Sequence, residues 1–216
     1  MTIKQSLSPF MIPQYLDAIF WDFDGVLINS NSIREMGFEK VLSDYPKEKV
    51  EALLQFHKAN GGLSRYVKFR HFFENILGEK PTAEKLFQLS SSFSEIMQKA
   101  LNNHALLNLE TLEFVKTNHL QYPMYIVSGS DQEELRRLCQ QMNIDVYFKS
   151  IHGSPTPKVE LVSQLIKINY LNASKCVLIG DSINDYEAAH ANNIMFYAYN
   201  NSDLVKYSNC KFDFMK

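Results

Sequence analysis

The sequence predicts an α/β protein: a doubly wound parallel sheet, interrupted after its first strand by an all-helical insertion. Three observations predict it. Short runs at Ala18–Phe23, Met124–Val127, Val146–Ile151, Cys176–Ile179 and Ile194–Tyr199 are apolar, β-branched or aromatic without alternating, as suits strands covered on both faces. From about residue 106 onward, helical patterns lie between these runs, the rhythm of a sheet wound by crossover helices. Residues 30–104 carry several helical stripes and no convincing strand.

The first strand lies within "AIFWDFDGVL" and ends in Asp22-Phe23-Asp24-Gly25. Two carboxylates this close to buried apolar residues are costly unless a cation or a proton lies between them. The insertion follows. Its stripes are Val50, Leu53, Leu54 and His57; then Tyr66, Phe69, Phe73, Ile76 and Leu77; then Leu86, Leu89, Phe93, Ile96, Met97 and Ala100. Turn signals at "NGG" and "GEKP" separate them, and the stripes read as core packing. The expected division is residues 1–29 and 105–216 as the α/β core and 30–104 as a helical domain. In "SDQEELRRLCQQM", Ser130 and Glu133 form a capping-box signature ahead of Leu135, Leu138, Cys139 and Met142. A second helix, "VELVSQLIKI", repeats Leu161, Val162, Leu165 and Ile166.

Composition narrows the class. The chain has 216 residues, 45% hydrophobic, enough to bury a real core, and a net charge of -2 that gives no reason to expect nucleic acid or an anionic membrane. Cys139, Cys176 and Cys210 are scattered, which fits reduced thiols better than disulfides or a zinc site. The N-terminus, "MTIKQSLSPFMIPQY", carries neither a signal-peptide pattern nor a transmembrane run. The expectation is a cytoplasmic protein, monomeric or a small homo-oligomer.

In parallel α/β sheets ligands gather at the carboxyl ends of the strands. The first strand ends in Asp22 and Asp24, the second in Ser128-Gly129-Ser130; Lys158 follows the third after "GSPTPK", and the fourth ends in Gly180-Asp181 with Asp185 four residues on. Clustered carboxylates without His or Cys suit a hard cation, Mg²⁺ rather than zinc. Such an ion with Lys158 favours a phosphate, and the Ser128 hydroxyl and backbone N–H groups of the turn are natural donors to its oxygens. These are the parts phosphoryl transfer needs. One carboxylate can be a nucleophile, and a second, two residues on, can work as acid and base.

Together "DFDGVL", "VSGS", "PK" and "GDSINDYEAA" resemble the four motifs of the haloacid dehalogenase-like hydrolase superfamily, nearest its phosphoglycolate phosphatase-like and β-phosphoglucomutase-like branch. The resemblance covers nearly the whole chain. It implies a Rossmann-like core with a helical cap, and a phosphatase acting on a small phosphorylated metabolite through an aspartyl-phosphate. It implies Asp22 as nucleophile and Asp24 as general acid/base, with Mg²⁺ held by the Asp22 carboxylate, the Asp24 backbone carbonyl and Asp181. Ser128, the Gly129 N–H and Lys158 would hold the phosphoryl group, with Asp185 supporting from outside. Asp24 argues for phosphate esters, because the family's dehalogenases lack that residue. "GGLSRY" looks like the family's cap loop, making Arg65 the first candidate for contacting substrate and Lys68 the second.

The chain departs from its relatives mildly. Asn29 precedes Ser30, Val159 follows Lys158, and Asn193 replaces a glycine after the last helix, where asparagine tolerates the left-handed conformation of a helix end. The six histidines show no metal-ligand spacing and read mostly as surface or capping residues; Trp21 reads as sheet packing. Two rivals stay open: a sugar phosphomutase of the same architecture, and a non-catalytic binding protein on this fold.

Overall fold

The computed structural model describes residues 15–210 and 214; the N-terminal stretch read above for targeting signals lies mostly outside them. Five strands, β1 (Ala18–Trp21), β2 (Met124–Asp131), β3 (Ser150–Ser154), β4 (Cys176–Gly180) and β5 (Met195–Ala198), form one sheet. The order is β3-β2-β1-β4-β5 and every pairing is parallel. Trp21 stands opposite Ile126 on one side and Ile179 on the other. β1, β2, β4 and β5 feed both faces of the sheet, which explains their continuous apolar runs. Ile19, Trp21, Met124, Ile126, Val177 and Ile179 belong to one core. Ala18, Phe20, Tyr125, Val127 and Leu178 belong to the other, with Leu161, Leu165, Ala188 and Ala189. Trp21 is fully buried and packs on Phe114.

Between β1 and β2 the chain forms α1 (Asn31–Val41), α2 (Lys47–Ala59), α3 (Arg65–His71), a π-helical continuation (Phe72–Leu77) and α4 (Ala83–Leu101). Local chemistry sets the starts: Ser64 Oγ accepts from the Val67 N–H, and Thr82 Oγ1 from the Lys85 N–H. Gly78, at φ +74, ends the π-helical turn. The outgoing and returning chain run side by side, with the Asn29 N–H on Leu106 O and the Asn108 N–H on Leu27 O. The three stripes converge on Phe38, whose ring lies 4.5 Å from Phe93, 5.4 Å from Phe69 and 5.1 Å from His57. After α5 (Leu109–Asn118), the helices α6 (Gln132–Gln141), α7 (Lys158–Ile168) and α8 (Ile183–Ala191) alternate with the remaining strands. No helix among the described residues is long and apolar enough to cross a membrane. Cys139, Cys176 and Cys210 are free and buried.

Two local expectations are corrected. The third strand lies at residues 150–154 rather than 146–151; Asp145–Tyr147 is a 3₁₀ turn, and Val146 is 72% exposed. β3 is an edge strand that carries Ser150 and His152, so its composition does not mark it. Nor does Ser130 cap α6. β2 runs four residues past Val127, and Asp131 is the cap, its Oδ1 accepting from the N–H groups of Glu133 and Glu134. Asn193 does take φ 54, the left-handed conformation expected after α8.

Phe38 is the ring on which the helical insertion centres. Phe38→Ala should destabilise the protein by about 3–5 kcal/mol, measured as a lower urea midpoint with an unchanged slope.

Candidate active site

The winding of the strands reverses between β1 and β4, and the crevice at their carboxyl ends is where such folds bind ligands. The Asp22 N–H is held by Ile179 O at 2.9 Å, which fixes Asp22 one residue beyond β1 against β4. Asp181 occupies the matching place after β4; its backbone O accepts from Asn201 Nδ2 at 2.7 Å, and its Oδ2 from Asn31 Nδ2 at 3.1 Å. Asp185 sits on the first turn of α8 and closes a capping box, its Oδ2 accepting from the Ser182 N–H at 2.9 Å and Ser182 Oγ at 2.7 Å. Lys158 opens α7 and reaches inward, donating to Asp22 Oδ1 at 2.8 Å and also to Asp185 Oδ1. Between β1 and α1, Gly25 takes φ +79. A Cβ there would lie 1.9 Å from Asp181 Oδ2, so both the conformation and the approach require glycine.

One oxygen from each of Asp22, Asp181 and Asp185 lies within 4.8 Å of the others. Three carboxylates against the single Lys158 ammonium leave two negative charges in a buried place. The electrostatics follow. Burial, then the neighbouring Asp185 carboxylate, raise the Asp22 pKa well above the usual carboxylate range, against the pull of Lys158. The same two causes push Asp181 up to about 7. Burial opposes the charge on Lys158, but Asp185 and Asp22 outweigh it and raise its pKa. An all-oxygen cluster with this charge deficit fits a hard divalent cation. Asp185 has both oxygens engaged by Lys158 and Ser182, so Asp22 and Asp181 are the better-placed carboxylate ligands.

Asp24 stands apart from that cluster. Its carboxylate accepts from Arg34 Nε at 3.0 Å, Arg34 Nη2 at 3.3 Å, Ser130 Oγ at 2.5 Å and also Ser30 Oγ. Burial alone would raise its pKa; the Arg34 guanidinium and the two hydroxyls hold it at about 2. Asp22, Asp24, Ser128, Gly129 and Asp181 nonetheless line one cavity of about 380 Å³. The insertion roofs it. A Cβ on Gly129 would lie 2.2 Å from Gly62 O, and one on Gly62 would lie 2.6 Å from Ser182 Oγ. The turn after α2 thus rests on the ends of both β2 and β4.

Arg65 and Lys68 do not line that cavity. Arg65 is buried, donating to Glu134 Oε2 at 2.7 Å and Ser94 Oγ at 2.6 Å, with its guanidinium 4.8 Å over the Phe93 ring. Lys68 donates to Gly61 O at 2.9 Å. Both line a smaller adjoining recess with Arg34 and His57. Two residues of this region escape the sequence reading. Arg34 follows Ser30 and precedes Phe38 by four residues each, a charge on a buried stripe; Glu134 stands likewise four before Leu138. His57, placed by its spacing on the first core-packing stripe, is buried there. A charge at a core-facing helical position was the available signal in both.

Comparison with known proteins follows the same lines. No curated protein matches the chain by sequence. A predicted phosphoglycolate phosphatase from Haemophilus somnus 129pt superposes with a TM-score of 0.71 at 19% identity, over 94% of this chain and 95% of that one. A β-phosphoglucomutase from Clostridium difficile gives 0.71 at 16% identity, over 92% and 91%. CbbY from Rhodobacter sphaeroides, in complex with phosphate, gives 0.68 at 13% identity, over 93% and 91%. These likenesses establish the fold. Residues 19–199 match the sequence profile described as haloacid dehalogenase-like hydrolase, and the chain belongs to that family.

Proposed function

We propose that the protein is a Mg²⁺-dependent phosphatase that hydrolyses a small phosphorylated metabolite through an aspartyl-phosphate formed on Asp22. The observation that carries this reading is the meeting of Asp22, Asp181, Asp185 and Lys158 at one point, with two negative charges uncompensated. Asp22 and Asp181, with the Asp24 backbone carbonyl, would hold Mg²⁺, which when bound neutralises charge on the phosphoryl oxygens. Lys158, the Ser128 hydroxyl and the Gly129 N–H would hold the phosphoryl group, and Asp185 orients Lys158.

In the first step an Asp22 carboxylate oxygen bonds to phosphorus while the bond from phosphorus to the ester oxygen breaks. The departing oxygen takes a proton from Asp24. In the second, water gives a proton to Asp24 and bonds to phosphorus; phosphate leaves and the Asp22 carboxylate returns. The pairing with Arg34 holds Asp24 in its basic form, the one the second step uses. The first step requires Asp24 to exchange Arg34 for the leaving oxygen. The helical insertion acts as a cap that excludes water, supported by the contacts of Gly62 with Gly129 and Ser182. The free thiols accord with a cytoplasmic setting.

The phosphomutase reading is less favoured. A mutase has to hold a second phosphoryl group on its sugar, for which arginine is the usual partner. The two buried arginines of the insertion are already paired with Asp24 and Glu134.

Asp22→Asn should lower Mg²⁺-dependent phosphate release at least about a thousand-fold while leaving the thermal midpoint within a few degrees. Comparable activity in that variant would reject the nucleophile. A second prediction follows from protonation. Asp181 has a folded pKa raised from 3.8 to about 7, so the folded state holds a proton that the unfolded state has lost across that window. Stability of chelator-treated protein should therefore fall as pH rises from about 4 to about 7. Asp181→Asn should flatten the fall, and saturating Mg²⁺ should reverse it.

A further inference from the structure

One short stretch of chain, Ser128 to Glu134, meets both the main cavity and the helical insertion. Ser128 and Gly129 line the cavity. Ser130 Oγ donates to Asp24 Oδ2 at 2.5 Å. Asp131 caps α6 through Oδ1, and its Oδ2 accepts from the Tyr66 hydroxyl at 2.8 Å. Glu134 stands on the first turn of α6, a place that favours a carboxylate. It is 2% exposed, and each of its oxygens takes one arginine: Oε1 accepts from Arg34 Nη1 at 2.5 Å, Oε2 from Arg65 Nη2 at 2.7 Å.

Every nitrogen of the Arg34 guanidinium is engaged. Nε and Nη2 donate to Asp24, Nη2 also to Ser130 Oγ, and Nη1 to Glu134. Asp24 likewise has both oxygens occupied, by Ser30, Arg34 and Ser130. The carboxylate that has to turn to the leaving oxygen is therefore paired with a buried cation. Parting them strands the guanidinium charge unless a second anion stays on it. Among the described residues, Glu134 is the one other carboxylate on Arg34.

We propose that Glu134 is a positioning residue for the acid step, keeping Arg34 anchored and charge-compensated while Asp24 turns to the leaving oxygen. The inference rests on the phosphatase reading and deepens it. Glu134 does not line the cavity; it acts through Arg34, and Arg34 acts through Asp24. Without its charge, Arg34 would have Asp24 as its sole carboxylate, and the exchange would leave a buried cation unpaired. That cost falls on the step in which Asp24 protonates the departing oxygen. An ester whose alcohol leaves readily as an anion needs the proton little, whereas a weakly acidic alcohol needs it fully. A residue that only fixes the roof would affect both esters alike. Arg65 supplies the control, because it shares Glu134 but does not touch Asp24.

The test measures kcat/KM, which covers the steps up to phosphoryl transfer to Asp22, on 4-nitrophenyl phosphate and 4-methoxyphenyl phosphate. The two esters are alike in size and charge, and 4-nitrophenol is much the stronger acid. Glu134→Gln keeps the length of the side chain and one acceptor oxygen but removes the charge. The expected result is a rise of about 10- to 100-fold in the ratio of nitrophenyl to methoxyphenyl kcat/KM, the range of one charged hydrogen-bonded contact. Arg65→Met, which leaves Arg34 paired with Glu134, should keep the ratio of the parent. Each ratio is taken within one sample, so it does not depend on how much of the variant is folded. An unchanged ratio in Glu134→Gln, whether both rates hold or both fall, overturns the proposal. So does complete loss of both activities, or an equal rise in Arg65→Met, either of which would make Glu134 only a tie between insertion and core. A parent protein that releases phosphate from no ester rejects the phosphatase reading, and this role with it; an active parent with an unchanged ratio in the variant rejects the role of Glu134 alone.

Discussion

Four charged groups that cannot balance one another organise this protein. Asp22, Asp181 and Asp185 crowd around Lys158 at the meeting of β1 and β4, where Asp22, Lys158 and Asp185 are buried. The surrounding backbone is shaped to bring them there. Asp22 is tied to Ile179, Asp185 is held by Ser182, and Gly25 turns left-handed where Asp181 leaves no room for a side chain. Such a cluster resists its own ionisation, as the raised pKa values of Asp22 and Asp181 record. In the function we propose, a bound divalent cation would relieve this and would convert a local instability into an anion-binding site.

A second buried polar chain lies beside the first and does different work. Asp24, Arg34, Glu134 and Arg65 run from the end of β1 through α1 and α6 to α3. Buried ion pairs add little net stability, because desolvation offsets attraction, but removing one partner leaves a stranded charge. Their effect here is geometric: Glu134, on a core helix, grips one arginine near each end of the insertion's first half. The roof over the cavity is therefore set by directional contacts as well as by the aromatic cluster around Phe38. Opening the roof means separating Arg65 from Glu134 and lifting Gly62 off Gly129.

The sequence exposes some of this and hides the rest, for physical reasons. Strand ends are visible because an apolar run that stops at a carboxylate has few structural excuses. Asp22, Asp24, Ser128, Gly129, Asp181 and Lys158 were singled out as candidates at or after strand ends, with Asp185 following Asp181. The edge strand β3 was misplaced because an edge needs no apolar pattern, and Ser130 was read as a cap because β2 gives no sign of running on to Asp131. Arg34 and Glu134 were missed because periodicity analysis counts apolar positions and passes over charges on the same stripe. Arg65 was singled out for its loop, but its partner Glu134 lies 69 residues away in sequence. No local pattern announces such a pairing.

The claim that uncompensated carboxylates create the site is tested most directly by titrating Mg²⁺ into chelator-treated protein by calorimetry near pH 6, in two buffers of different ionisation enthalpy. The account predicts one ion bound per chain with net proton release, as Asp22 and Asp181 give up protons to the ion, and loss of both signals in Asp181→Asn. Absence of binding, or binding without proton release that persists in Asp181→Asn, would contradict it.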